Sequence, residues 1–225
     1  MHNIGFIYHN KDVRNFYYGG YIMFTQSSES QDNSMPLSMN HGAHELLDVH
    51  EVLSTMIGGL NQYVLMRDQV QDQELLSILD RQYAFMLDEY NITMEAYKTG
   101  QDPSHPTKSY SMQIGNDTTY GLTPGQPKKP IQSANEIDDA IISGFMLSCH
   151  KAGATGKTAA ALESTNPVVR RVLQDTIQNC IEMAYEISLY QNKKGYYQVP
   201  QFDQSTMNAM LNMYGQAQQA KNMPN

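Results

Sequence analysis

Four long stretches of helical periodicity, paired two and two around a proline-rich gap, limit what this chain can fold into. Residues 44–70 place Leu46, Val49, Leu53, Ile57, Leu60 and Val64 three and four apart, the spacing of one helical face. Residues 73–99 repeat the pattern with Leu75, Leu79, Tyr83, Met86, Tyr90, Met94 and Tyr97. A third stretch, 135–163, carries Ile137, Ile141, Phe145, Ser148, Ala152, Ala159 and Leu162, and its small residues predict close approach to a neighbouring helix. The fourth, 167–193, runs through Val169, Val172, Thr176, Cys180, Met183, Ile187 and Tyr190. Each stretch is about 27 residues, roughly 40 Å of helix at about 1.5 Å per residue. These are bundle lengths.

The boundaries agree with the periodicity. Asp72 is placed to cap the second helix, which ends at "YKTG" with a basic residue and Gly100. Asn166 caps the fourth, Pro167 occupies its first turn, and "KKG" stops it. Short connections make each consecutive pair an antiparallel hairpin. Between the hairpins lies "QDPSHPTKSYSMQIGNDTTYGLTPGQPKKPIQSA", and loops this long are uncommon unless they serve a purpose. Roughly 30 residues at about 3.3 Å each can run the full height of a bundle. The expected fold is therefore all-α, a ferritin-like four-helix bundle at 41–200, with hairpins 41–100 and 134–200 and a crossover at 101–133. Two hairpins on a flexible tether would be the alternative, but each would leave half its apolar face in water.

The ends differ in character. Residues 1–40 read as a flexible arm. Gly19-Gly20 precedes Met23 at a spacing that glycine codons of the GGAGG type would turn into a ribosome-binding site. Residues 1–22 are thus expected either to be an over-extended start, with translation beginning at Met23 rather than Met1, or to be a short disordered arm. Residues 201–225 form a polar tail rich in Gln, Asn and Met, with a weak helix expected at 205–219. A net charge of -8 argues against a nucleic-acid partner, and no apolar run reaches the length of a membrane span.

Candidate chemistry is sparse. "HGAHELLDVHE", residues 41–51, sits one substitution from the HExxH zinc signature. At about 100° per residue, His44, Asp48 and Glu51 share the side opposite the stripe drawn above. The second ligand is Asp rather than His, and no third ligand is identifiable. The stretch reads as the acidic start of a helix, with a weak surface metal site at these three residues as the alternative. A di-iron site needs Glu-x-x-His on two helices. None of the seven histidines has Glu three positions earlier, and no acidic residue is placed at the centre of the second or fourth stripe. "GATGKT" at 153–158 imitates a phosphate-binding loop, but it lacks the leading glycine and follows a helix instead of a strand. Cys149 and Cys180 stand at similar distances from the turn near residue 165, so they face each other at one height, as free thiols or as a disulfide. No catalytic residue and no cofactor is expected.

The segment "EIDDAIISGFMLSCHKAGATGKTAAALESTNPVVRRVLQDTIQNCIEMAYEISLYQNKKGYY" resembles the Coat F domain of spore coat proteins from endospore-forming bacteria. The shared features are an acidic helix start, a small-residue helix, a "T-x-P-x-V-R" turn and "KGYY". "HGAHELLDVHEVL", "DQELLSILDRQYAFMLDEYN" and "AYKTGQ" look like the upstream half of full-length members, so the resemblance covers about 40–101 and 133–200. It implies a ferritin-like bundle that serves as a non-enzymatic structural component of the spore coat, made in the mother-cell cytoplasm and deposited on the forespore. Its partners would be other coat proteins or further copies of itself. Outward Tyr, Met and Gln and the tail "YYQVPQFDQSTMNAMLNMYGQAQ" are the expected contact surface, while Tyr83, Met86, Tyr90 and Met94 are expected in the core. The alternative is a degenerate ferritin-like metal-binding protein using the His-rich start of the first helix. The crossover at 101–133 is the expected site of proteolysis.

Overall fold

The computed structural model of the protein describes residues 16–18, 21–23 and 40–219. The chain divides into a unit of Met1–Met35 and a unit of Pro36–Asn225. In the first, β1 (Phe16–Tyr18) pairs antiparallel with β2 (Tyr21–Met23), Tyr18 opposite Tyr21. The rest of the expected arm up to residue 39 lies outside the described residues, as do 220–225.

The second unit is a four-helix bundle of α1 (Ala43–Arg67), α2 (Gln73–Thr99), α3 (Asp139–Glu163) and α4 (Pro167–Lys193). A 3-10 turn at Ala134–Glu136 precedes α3, and a short α5 (Gln204–Leu211) lies in the tail. Local chemistry sets the boundaries. The Asp72 carboxylate accepts from the Glu74 N–H, and Gly100 closes α2 in the left-handed conformation at φ 65°. The Asn166 side chain accepts from the N–H groups of Val168 and Val169, with Pro167 at the first turn of α4. No helix among the described residues is long and apolar enough to cross a membrane.

α1 packs on α2 and α3, and α4 closes the bundle by packing on the same two helices. The Asp139 carboxylate at the start of α3 accepts from the backbone N–H groups of Gln71 and Asp72 at 2.9 and 3.0 Å, between α1 and α2. At that same end Lys193 of α4 reaches Glu74 of α2 at 3.0 Å. The start of α1, the end of α2 and the α3–α4 turn meet at the other end, where the Asn166 amide donates to the Gly100 carbonyl at 3.1 Å. The chain leaving α2 must therefore climb the whole bundle to reach α3. This is the ferritin-like connectivity expected from the lengths.

Three helices are rotated from the sequence expectation. On α2 the inward face adds Ile78, Gln82, Glu89, Ile92, Thr93 and Ala96 to Leu75, Leu79 and Met86, and the expected core residues Tyr83, Tyr90 and Met94 are only half-buried. The stripe drawn on α4 is buried at all seven positions, but on α1 Leu46, Ile57 and Val64 are exposed. The inward face of α1 is Glu45, Val49, Val52, Met56, Gly59, Leu60 and Tyr63, turned by roughly 80° at 100° per residue. α1 carries two adjacent apolar rows, and periodicity alone cannot say which one faces inward. α3 is turned nearly to its opposite face: Phe145, Ser148, Ala152, Ala159 and Leu162 of the expected stripe are exposed, while Ile142, Met146, Leu147, His150, Lys157 and Ala160 are buried. Gly59 sets the approach of α1 to α3, since a Cβ there would sit 2.5 Å from the Cys149 sulfur.

Candidate functional site

The "HGAHELLDVHE" stretch docks onto the α3–α4 turn. Glu45 is fully buried, and its carboxylate accepts from the N–H of Thr165 (2.6 Å), the N–H of Asn166 (2.7 Å) and the Thr165 hydroxyl (3.1 Å). His41 Nδ1 bonds its other oxygen, and the Gly42 N–H donates to the Thr165 hydroxyl at 2.9 Å. Burial pushes the Glu45 carboxyl up, but the bonds from Asn166, His41 and Thr165 outweigh it and hold the group below its usual range. The residue that the zinc motif would use as a base is thus the anchor of a turn. His44 is exposed, while Asp48 and Glu51 line the mouth of a cavity between α1 and α3. Because α1 is rotated, these carboxylates sit beside the inward face, not opposite it. Among the described residues no three His, Cys, Asp or Glu side chains are grouped to hold a metal ion.

The interior also holds polar groups. Contrary to the expectation for the second and fourth stripes, Glu89 of α2 and Glu186 of α4 are buried. They form two layers about two turns apart. In one, the Tyr63 hydroxyl donates to Gln82 Oε1 at 3.0 Å, and His150 Nε2 lies 2.8 Å from each of these oxygens. Gln82 Nε2 donates to Glu186 Oε2 at 3.0 Å, and Arg81 of α2 pairs with Glu186 Oε1 at 2.6 Å. In the other, Lys157 donates to Glu89 Oε2 at 3.1 Å and Asn179 to Glu89 Oε1 at 2.7 Å. Burial pulls the Lys157 ammonium down, but Glu89 and Cys180 beside it raise it further, so the lysine stays charged. Burial, with a smaller push from Lys157, lowers His150 to about 3.

These groups hold the crossover. Tyr110 is buried, its hydroxyl donates to Glu186, and its backbone N–H donates to Asn179 Oδ1 at 2.7 Å. Asn179 Nδ2 returns a bond to the Lys108 carbonyl at 2.8 Å, and the Gln113 N–H donates to Glu186 at 2.9 Å. Higher up, Asn192 accepts from the Thr119 N–H at 2.7 Å and donates to the Thr119 carbonyl at 3.0 Å. An extended segment has no ladder partner of its own, and α4 supplies it with the side-chain amides of Asn179 and Asn192 and the carboxylate of Glu186. The crossover expected to be exposed is pinned over 107–119 and again at Gly121 and Thr123, which bond Val199 and Gln198, whereas residues 124–136 are exposed throughout.

Cys149 and Cys180 are free thiols that line the same cavity as Asp48 and Glu51, and burial pushes both above the usual thiol range. The GATGKT segment lies within α3, and its lysine is the buried Lys157.

A four-helix bundle whose interior carboxylates grip its own crossover defines the class, and comparison with known proteins defines the family. The Coat F domain model matches residues 138–200. The chain is 52% identical over 198 residues to spore coat protein F-like protein YhcQ of Bacillus subtilis (strain 168), covering 87% of this chain and 91% of that protein. Among solved structures it is similar to a protein assigned to the spore coat of Bacillus halodurans C-125, with a TM-score of 0.53 at 18% identity. That likeness covers 75% of this chain and 98% of the other, and it supports the fold alone. The chain belongs to the Coat F family of spore coat proteins.

Proposed function

We propose that the protein is a structural component of the endospore coat that works by protein–protein assembly and not by catalysis. It is made in the mother-cell cytoplasm and added to the forespore surface, where its partners are other coat proteins or further copies of itself. The observation that carries this reading is the second apolar row of α1. Leu46, Ile57 and Val64 stand exposed along one flank of the helix, with Leu47 and Leu65 beside them. Several large apolar side chains along one helix are more than the scattered surface residues of an ordinary monomer, and such patches mark interaction surfaces. The tail adds exposed Phe202, Leu211, Met213 and Tyr214. The interior carboxylates support the same reading, because each is engaged by the chain's own donors.

The test is a pair of charges on the row, Ile57→Glu with Val64→Glu, introduced at the native locus. The variant is expected to fold with an unchanged helical spectrum, since both positions are exposed, and to be depleted from the extracted coat fraction of purified spores. Full incorporation of the folded variant would remove α1 from the assembly surface.

A further inference from the structure

The cavity between α1 and α3 has about 180 Å³ of space and is walled mainly by apolar atoms. Its floor is unusually soft. Met56, Met86 and Met183 supply thioethers, and Cys149 and Cys180 supply thiols. Thioethers are polarizable and adaptable, and they make favourable contacts with aromatic rings. The outer wall is the small-residue row of α3, Ala152, Gly156 and Ala159. All three are exposed and a Cβ built on Gly156 would meet nothing within 4 Å, so the cavity opens to solvent along this row.

Charge selects among occupants. Asp48 and Glu51 stand at the mouth, and the buried cation on the wall, Lys157, is already paired with Glu89 at 3.1 Å. An anion would pass two carboxylates and find no uncompensated positive charge inside. Size selects further. An engineered apolar cavity of about 150 Å³ takes up benzene, so this one suits a molecule of about six to ten non-hydrogen atoms.

We propose that this cavity is a binding site for a compact neutral or cationic organic molecule with an aromatic or branched aliphatic body. The body rests on the Met56, Met86 and Met183 thioethers, and a positive group, where present, lies toward Asp48 and Glu51. The site is independent of how the protein assembles, and it gives a coat component a means of retaining a small apolar compound.

The experiment titrates the full chain with toluene, benzylamine and benzoate, one aromatic body in three charge states, while Tm is followed by circular dichroism. Toluene and benzylamine are expected to raise Tm saturably, because a ligand held only by the folded state stabilises it. Benzoate is expected to leave Tm unchanged. Gly156→Leu fills the mouth with a good helix former, and it is expected to weaken toluene by at least about tenfold while the helical spectrum persists. A readout that needs no variant is thiol protection: saturating toluene is expected to slow alkylation of Cys149 and Cys180 by N-ethylmaleimide. The proposal is overturned by the absence of a saturable shift with toluene, an undiminished shift in folded Gly156→Leu, tighter binding of benzoate than benzylamine, or alkylation indifferent to toluene.

Discussion

At the residue scale the chain spends its buried charges on holding itself together. Glu45 ties the entrance of α1 to the N-terminus of α4, Glu186 ties α4 to α2 and the crossover, and Glu89 balances Lys157. A buried pair is weak evidence of net stability, but breaking one leaves a charge stranded in a low-dielectric interior. Lys157→Met is therefore expected to cost about 3–5 kcal/mol in urea unfolding. Adding Glu89→Gln is expected to restore a large part of that loss; additive losses in the double variant would contradict the pairing. His150 gives a prediction in pH. Its folded value of about 3 lies below the unfolded value, so between roughly pH 6.5 and 3 the unfolded chain carries the extra proton. The contribution of the neutral imidazole is present above pH 6.5 and is lost as pH falls toward 3, by up to about 1.4 kcal/mol per unit. His150→Gln is expected to lower stability at pH 7 and to flatten this slope; an unchanged slope would place the imidazole in contact with water.

The element scale shows where sequence reading succeeds and where it stops. α4 was legible because cap, proline, stripe and stop all agree, from Asn166 to Lys193. α1 was legible in extent but not in phase, because its row of Leu46, Leu53, Ile57 and Val64 is more hydrophobic than the true inward row, which includes Glu45, Gly59 and Tyr63. The buried carboxylates were missed for the same reason, since a hydrophobic pattern counts every Glu as outward. A signal was present: Glu186 falls between Met183 and Tyr190, and Glu89 between Met86 and Thr93, each at three and four residues. What no local pattern carries is the partner, because Asn179 and Asn192 bond to crossover residues about 70 positions away. The crossover supplies the test at this scale. Limited thermolysin digestion with mass mapping is expected to cut the native protein within 124–136 and to spare 107–119. Asn179→Ala removes the amide that bonds both Tyr110 and Lys108, and it is expected to open the spared segment to cleavage. Early cleavage within 107–119 of the native chain would show that the strap is not held.

For the whole molecule, the bundle is a scaffold in which connectivity, polar interior and surface have separate tasks. The crossover closes the fold, the interior charges fix it, and the apolar flank of α1 and the tail, exposed, are the surfaces proposed above for assembly. This division fits a protein that is laid down once and must persist, and it agrees with membership of the Coat F family. The central claim is that such a scaffold works in the coat. The most direct measurement is to follow a fluorescent fusion of the full chain, expressed from its own promoter, through sporulation. The expected signal appears in the mother cell and collects as a shell around the forespore. A signal that stays diffuse in the mother-cell cytoplasm to the end of sporulation would contradict it.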